Sequence, residues 1–230
     1  MRRDHLKRKL ALILATSFNL VIFFSIIWFF EGWGQVFIDP VMFGFLTVLS
    51  AFCIAECWEG SKKNEVIVCN RETYLDVILT GLTGGLLFLV FAISLGEHLV
   101  APSGIDIGPR ATGTVFACLG IFLRVAAFRA LGSAFVSLPQ VRTGQRLIVK
   151  GPYSFLRHPS ETGLMCISLG MVWMMGSTTG FFITVLLLLP ISYLRVTREE
   201  RVLTKNFEQA YVNYKNAVPG IIPVLSRFRS

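Results

Sequence analysis

The chain has 230 residues, of which 53% are hydrophobic and only 16% charged, with 20 Phe, 4 Trp and 5 Tyr among them. Soluble domains carry about a quarter charged residues. Here the apolar residues also come in long unbroken blocks, which excludes a water-soluble globule, a disordered chain and a coiled coil, and leaves an integral membrane protein.

Six apolar stretches are predicted to span, at Leu10–Phe30, Val41–Trp58, Tyr74–Leu95, Thr112–Leu131, Thr162–Met175 and Thr179–Leu194. The net charge of +8 follows their arrangement. With the N-terminus in the cytosol, 19 of the 22 Lys and Arg fall on the cytosolic side. Arg110 alone lies outside, and Arg124 and Arg129 lie within the fourth span. That asymmetry is the positive-inside pattern. It predicts a multi-pass protein with both termini cytosolic, in the endoplasmic reticulum of a eukaryote or the inner membrane of a bacterium. The basic excess is therefore a topology signal, and no nucleic-acid partner is expected.

The first span follows Arg2, Arg3, Lys7, Arg8 and Lys9 but is longer than a signal-peptide core, and no small-residue cleavage site follows it. Trp28, Phe29, Phe30 and Trp33 at its far end suit an interfacial aromatic belt. It is read as an anchor. The cysteines Cys53, Cys57, Cys69, Cys118 and Cys166 show no metal-ligand spacing, so they are read as buried apolar thiols, with no metal expected.

Residues 1–110 read as three anchor helices and residues 111–230 as a functional core. In the anchor, Asp39, Glu56 and Asp76 sit at span ends, where a charge can reach the headgroups. Gly81, Gly84 and Gly85 would permit close helix packing. Arg124 is different. It lies seven residues before the end of the fourth span, about 10 Å deep, where a guanidinium needs a partner or a wet cavity.

The fifth and sixth spans are short for ~30 Å of hydrocarbon and are joined by Gly176-Ser-Thr-Thr-Gly180. A short hairpin leaves a polar recess beneath the cytosolic surface. Lys150-Gly-Pro-Tyr-Ser-Phe-Leu-Arg-His-Pro-Ser-Glu-Thr-Gly163 leads into it. Pro159 suits a first helical position and Glu161 a first turn, so this stretch reads as a helix start. It equally places His158, which can bond a ligand or move a proton, at the mouth of the recess. Beyond the hairpin, Val202, Leu203, Phe207, Ala210, Tyr211 and Tyr214 recur at helical spacing and predict an amphipathic helix ended by Val218-Pro219-Gly220. Arg195 and Glu199 are one turn apart and can pair, in the weaker order, or share a ligand.

These two segments resemble the isoprenylcysteine carboxyl methyltransferase family and the wider group of membrane phospholipid methyltransferases. The residues that carry the resemblance are Gly151, Tyr153, Arg157, His158, Pro159 and Gly163, then Arg195, Glu199, Glu200, Phe207, Tyr211, Tyr214, Val218 and Pro219. The end of the fourth span, Leu123 to Gly132, is also similar. The likeness runs from about Gly113 to Pro223.

The resemblance implies an all-α membrane enzyme that transfers a methyl group from S-adenosylmethionine to a lipidic or hydrophobic acceptor at a carboxyl or amine. It implies cofactor contacts from Gln140, Tyr153, His158, Pro159 and Ser160, from the backbone of Leu147 and Ile148, and from Glu199. Arg195 would orient the acceptor, with Glu161 and Arg124 beside it. The absence of any strand–Gly-x-Gly–helix unit agrees with a methyltransferase lacking a Rossmann domain. Two residues depart from the pattern. Glu208 replaces a Gly and is expected on an exposed helix face. Glu161 replaces a Tyr, and its charge would oppose a carboxylate acceptor and favour an amine. The competing resemblance is to NADPH-dependent sterol-type reductases, which share the His-Pro hairpin.

Overall fold

The computed structural model describes residues 39–61, 71–100, 104, 106–132 and 147–221. The first predicted span and Gln140 lie outside them. The described elements are helical: α1 (Pro40–Ser61), α2 (Arg71–Val100), α3 (Ile107–Leu131), a 3-10 turn (Gly151–Ser154), α4 (Pro159–Met175), α5 (Thr178–Ile183) and α6 (Leu189–Ala217). Three of the described helical runs are long and apolar enough to cross a membrane, Tyr74–Val100, Ile107–Leu131 and Thr178–Ala217, and Pro40–Glu56 is a shorter apolar helix.

Local chemistry sets the helix ends. Asp39 precedes Pro40, and its Oδ1 accepts from the backbone N–H of Val41 at 2.8 Å, a side-chain cap followed by a proline that needs no partner. Pro159 opens α4 in the same way. Gly176 closes α4 with φ 69° and ψ 28°, the left-handed conformation that a helix end favours. Ser177 then caps α5 by accepting from Gly180 N–H at 2.9 Å, so the hairpin reverses within a few residues.

The second arm of that hairpin is not a short span followed by a separate surface helix. α5 passes through a π-helical turn, Thr184–Leu188, directly into α6. The turn lies just ahead of Pro190, whose ring and missing N–H disrupt a regular α turn. The apolar Thr179–Leu194 stretch is thus the first part of a 40-residue helical run whose polar continuation carries Arg195 to Ala217.

Met42, Phe45, Leu49, Phe91, Leu95, Ile167, Met171 and Met175 form the fully buried centre of the bundle. The closest helix pair is α3 with α4. A Cβ on Gly120 would lie 2.6 Å from Gly163 O, and one on Gly170 would lie 2.6 Å from Ala117 N. Gly113, Ala117 and Gly120 on one helix thereby meet Gly163 and Gly170 on the other, backbone against backbone. The close packing expected of Gly81, Gly84 and Gly85 is not made by any described helix, because among the described residues nothing lies within 4 Å of a Cβ at any of them. Val115, Leu119 and Phe122 of α3 and Leu82 and Leu89 of α2 point outward, as a lipid-facing surface requires. Cys53 is buried but Cys118 faces outward, so the thiols are not all interior.

Polar groups collect at the two ends of the bundle. At the hairpin end, His98 Nε2 lies 2.6 Å from Asp39 Oδ2, and Glu97 accepts from the Ser177 hydroxyl and, at 3.3 Å, from Thr179 N–H. The opposite end holds the residues of chemical interest.

Candidate active site

The loop before α4 folds back on the chain's last described residues. Gly151, with φ 63°, starts the 3-10 turn, and the Tyr214 hydroxyl donates to Tyr153 O at 2.6 Å. Arg157 N–H donates to Pro219 O at 2.8 Å and His158 N–H to Gly220 O at 3.1 Å. The Thr162 hydroxyl completes the seam by donating to Ile221 O at 2.9 Å. The polar groups of an otherwise irregular loop are thus satisfied by the strap after α6.

The side chains of this seam form a charged knot. Glu200 Oε1 lies 3.0 Å from Arg157 Nη2 and 3.3 Å from His158 Nε2, while its Oε2 lies 2.6 Å from Lys215 Nζ. Arg157 Nη1 also donates to Lys215 O at 2.8 Å. Glu199 Oε2 lies 3.5 Å from the other imidazole nitrogen of His158, so one ring is held between two consecutive carboxylates. Burial disfavours the imidazolium, but the hydrogen bonds and charges of Glu199 and Glu200 outweigh it and hold His158 up to about 9. Burial also pushes the Tyr153 phenol well above its ordinary range, with the charge of Glu199 adding to the effect.

A second group of charges lies one helical turn away. Arg195 Nη1 donates to Glu161 Oε1 at 3.0 Å. Arg195 thus turns to Glu161 on α4 and not to Glu199 on its own helix. Glu161 is nearly buried, and the negative charge expected to stand free beside the pocket is paired. Arg124 donates to both oxygens of Glu56. It also reaches Ser160 O at 3.0 Å and Ser160 Oγ at 2.9 Å, with its guanidinium carbon 4.8 Å from the centre of the Phe128 ring. α3 runs seven residues past Arg124 to Leu131, while α4 begins four residues before Gly163, which packs beside Arg124, so α4 starts roughly 5 Å short of the end of α3.

Tyr153, His158, Pro159, Ser160, Glu161, Arg195 and Glu199 therefore come together at one end of the bundle, with Arg124 behind them. Leu147 and Ile148 are half-buried, and Leu147 packs on Tyr211, Tyr214 and Val218. Three participants carry no site role in the sequence reading: Glu56, Glu200 and Arg157. Glu56 and Asp76 had been read as charges reaching for headgroups. Instead Glu56 neutralises Arg124, and the buried Asp76 accepts from Arg198 of α6. The depth of Arg124 was the one signal that a carboxylate had to be near. Glu208 is exposed as expected, but its backbone is not helical: it adopts φ 46° and ψ −125° and breaks the path of α6.

Residues 109–210 match the family model described as phospholipid methyltransferase. That span includes α3, the loop, α4 and α6 through its kink. The chain is 27% identical over 196 residues to a protein-S-isoprenylcysteine O-methyltransferase of Schizosaccharomyces pombe, covering 79% of this chain and 83% of that protein. It is 25% identical to the protein of the same name in Saccharomyces cerevisiae, covering 79% of each. Against protein-S-isoprenylcysteine O-methyltransferase B of Arabidopsis thaliana it is 28% identical, over 50% of this chain and 59% of the relative. Among solved structures, a eukaryotic intramembrane Ras methyltransferase, isoprenylcysteine carboxyl methyltransferase, aligns with a TM-score of 0.55 at 20% identity. The alignment covers 94% of this chain and 86% of that one, a likeness of fold.

Proposed function

We infer that this chain, a membrane methyltransferase of the phospholipid methyltransferase and isoprenylcysteine carboxyl methyltransferase group, takes its methyl group from S-adenosylmethionine. We further infer that it delivers the group to a lipidic or hydrophobic acceptor at the cytosolic end of the bundle. The observation that carries this reading is the His158 knot. Two separate stretches that carry the resemblance, Arg157–His158 and Glu199–Glu200, meet at one imidazole within the matched residues 109–210.

The residues present fit such a cofactor. The Glu199 side chain is 47% exposed where that of Glu200 is 14%, so Glu199 keeps lone pairs open for ammonium or hydroxyl groups while Glu200 is consumed by the knot. The loop brings Leu147 and Ile148 as an apolar wall with backbone groups. Tyr153, Pro159 and Ser160 line the turn into α4, and the resemblance adds Gln140, which lies outside the described residues. When bound, the cofactor supplies a methyl group already activated on sulfur. The protein's share is then positioning, exclusion of water and a fixed field. His158 and Glu200 hold the loop against α6, and Arg195 and Glu161 lie where the acceptor enters, with Arg124 fixing Ser160 from behind.

The cytosolic assignment rests on the Lys and Arg asymmetry of the sequence. Binding is tested by melting the full chain in detergent with S-adenosylhomocysteine and, separately, with NADPH. At a hundred times its dissociation constant the first should stabilise the fold by about 2.7 kcal/mol. A shift with NADPH and none with S-adenosylhomocysteine would overturn the proposal in favour of a reductase.

A further inference from the structure

The Glu161 side chain is nine-tenths buried, and its two oxygens have different fates. Oε1 accepts from Arg195. Oε2 is buried and finds no hydrogen-bond partner among the described residues. Nearby cations do not relieve it, since Arg195 meets the other oxygen and Arg124 is directed to Glu56 and Ser160. A buried carboxylate oxygen without a donor is costly and calls for an external one.

The pairing also changes what Arg195 can do. A guanidinium already bonded to Glu161 can clamp an acceptor carboxylate only by releasing Glu161, which would leave that group buried and unpaired. An incoming carboxylate would besides bring its own lone pairs against Oε2. A group bearing O–H or N–H meets neither obstacle and supplies the missing donor.

Resting on the methyltransferase reading above, we propose that Glu161 is a specificity-determining residue, whose free Oε2 selects an acceptor lipid headed by a hydroxyl or an amine and disfavours a carboxylate. Two observations on this chain agree with it. Glu161 stands in the first turn of α4, three residues after His158, so a donor bonded to it lies beside the cofactor residues. Arg195, Glu161, Arg124 and Glu56 together are electrically balanced, so the position asks for a hydrogen bond more than for a charge.

The test uses the full chain in detergent with three probes of one tail, hexadecanol, hexadecylamine and palmitic acid, titrated with and without S-adenosylhomocysteine. The parent should bind the alcohol or the amine roughly tenfold more tightly than the acid, the lower range for a lost buried hydrogen bond. Whichever of the two is tighter identifies the donor. Glu161→Tyr removes the carboxylate that holds Arg195, and Glu161→Gln leaves Arg195 only a neutral amide oxygen; both should bring palmitic acid level with the other probes. Should Glu161→Tyr fail to fold, the near-isosteric Glu161→Gln decides alone. Palmitic acid binding the parent as well as the alcohol and the amine, or an unchanged order in the variants, overturns the proposal. Bound S-adenosylhomocysteine with palmitic acid preferred defeats only the acceptor choice. A preserved lipid order without any cofactor binding defeats the methyltransferase reading instead.

Discussion

Gly120 and Gly163 face each other so closely that a Cβ on either would lie 2.6 Å from the other's carbonyl oxygen. The atoms met are backbone, which cannot swing aside as a side chain can. Gly163 also stands one turn into α4 from the His158 loop, and its Cβ would lie 3.0 Å from Arg124 Cβ. The position of the site residues on α4 against Arg124 on α3 therefore depends on two missing methyl groups. Gly163→Ala should destabilise the protein by roughly 1–3 kcal/mol through overpacking. It should also weaken S-adenosylhomocysteine binding by shifting Ser160 from Arg124. Gly84→Ala, where no described residue lies within 4 Å of the new Cβ, is the control and should cost nothing or stabilise slightly. Equal melting temperatures for the two variants would contradict this account of the helix contact.

What was legible in the sequence divides along physical lines. Apolar blocks are a local signal, so the described spans from Val41 to Met175 fall on helices. Pro159, Gly176 and Ser177 likewise announce helix ends within their own neighbourhood. The order of His158, Pro159, Arg195 and Glu199 pointed to residues that meet at one end of the bundle, because a motif is read from spacing along the chain. Ion-pair choice was not legible. Arg195 has Glu199 one turn away, yet it pairs with Glu161, 34 residues distant, because α4 and α6 pack there. Glu56 and Arg124 are 68 residues apart for the same reason. The glycines show the same limit. Gly81, Gly84 and Gly85 look like a packing motif, but only the facing helix decides whether a glycine is approached. The extent of the last helix was missed because a polar composition after Leu194 marks a change of solvent, not a change of backbone.

Glu208 gives a prediction with a sign opposite to most substitutions. Its φ of 46° with ψ −125° is a conformation that a residue with a Cβ enters at a cost of order 1–3 kcal/mol. Beyond the kink, in the last turns of α6, Tyr211 and Tyr214 pack together and Tyr214 reaches Tyr153. Glu208→Gly should therefore stabilise by about 1 kcal/mol, part of the relieved strain being offset by the greater freedom of Gly in the unfolded chain. Glu208→Ala keeps the Cβ and should not stabilise. Thermal melts of both variants check this, and a gain from Ala equal to that from Gly would show that the backbone is not the cause.

His158 makes the stability depend on pH in a defined window. An unfolded histidine titrates near 6.5, whereas in the folded protein this one is held up to about 9. Folding thus favours the protonated ring. Its contribution is complete below about pH 6.5 and is lost as pH rises through about 9. Melting temperature should fall across that interval, and Glu200→Gln, which removes one of the two carboxylates, should flatten the fall. Nitrogen-15 NMR of labelled histidine reads the ring directly. An imidazole that titrates at or below 6.5 would remove the two-carboxylate account of the knot.

The Glu161 pair gives Arg195 a structural role that can be separated from the acceptor role proposed for it. Arg195→Ala leaves the Glu161 carboxylate nearly buried with neither oxygen paired. That loss should cost roughly 2 kcal/mol, discounted from a fully buried pair because Arg195 is 21% exposed. Reduced activity in this variant alone therefore says little about chemistry. The double variant Arg195→Met with Glu161→Leu replaces the pair by apolar groups of similar reach and should recover most of the stability, since removing both partners can be nearly neutral. If Arg195 and Glu161 act on the acceptor, the double variant should bind S-adenosylhomocysteine within a few-fold of the parent and still lose methyl transfer by on the order of a hundredfold. The measurements are melting temperature, cofactor-analogue affinity and methyl incorporation from labelled S-adenosylmethionine into a panel of alcohol, amine and carboxylate lipids. A double variant that is stable, binds the analogue and turns over like the parent would confine the pair to holding α4 against α6.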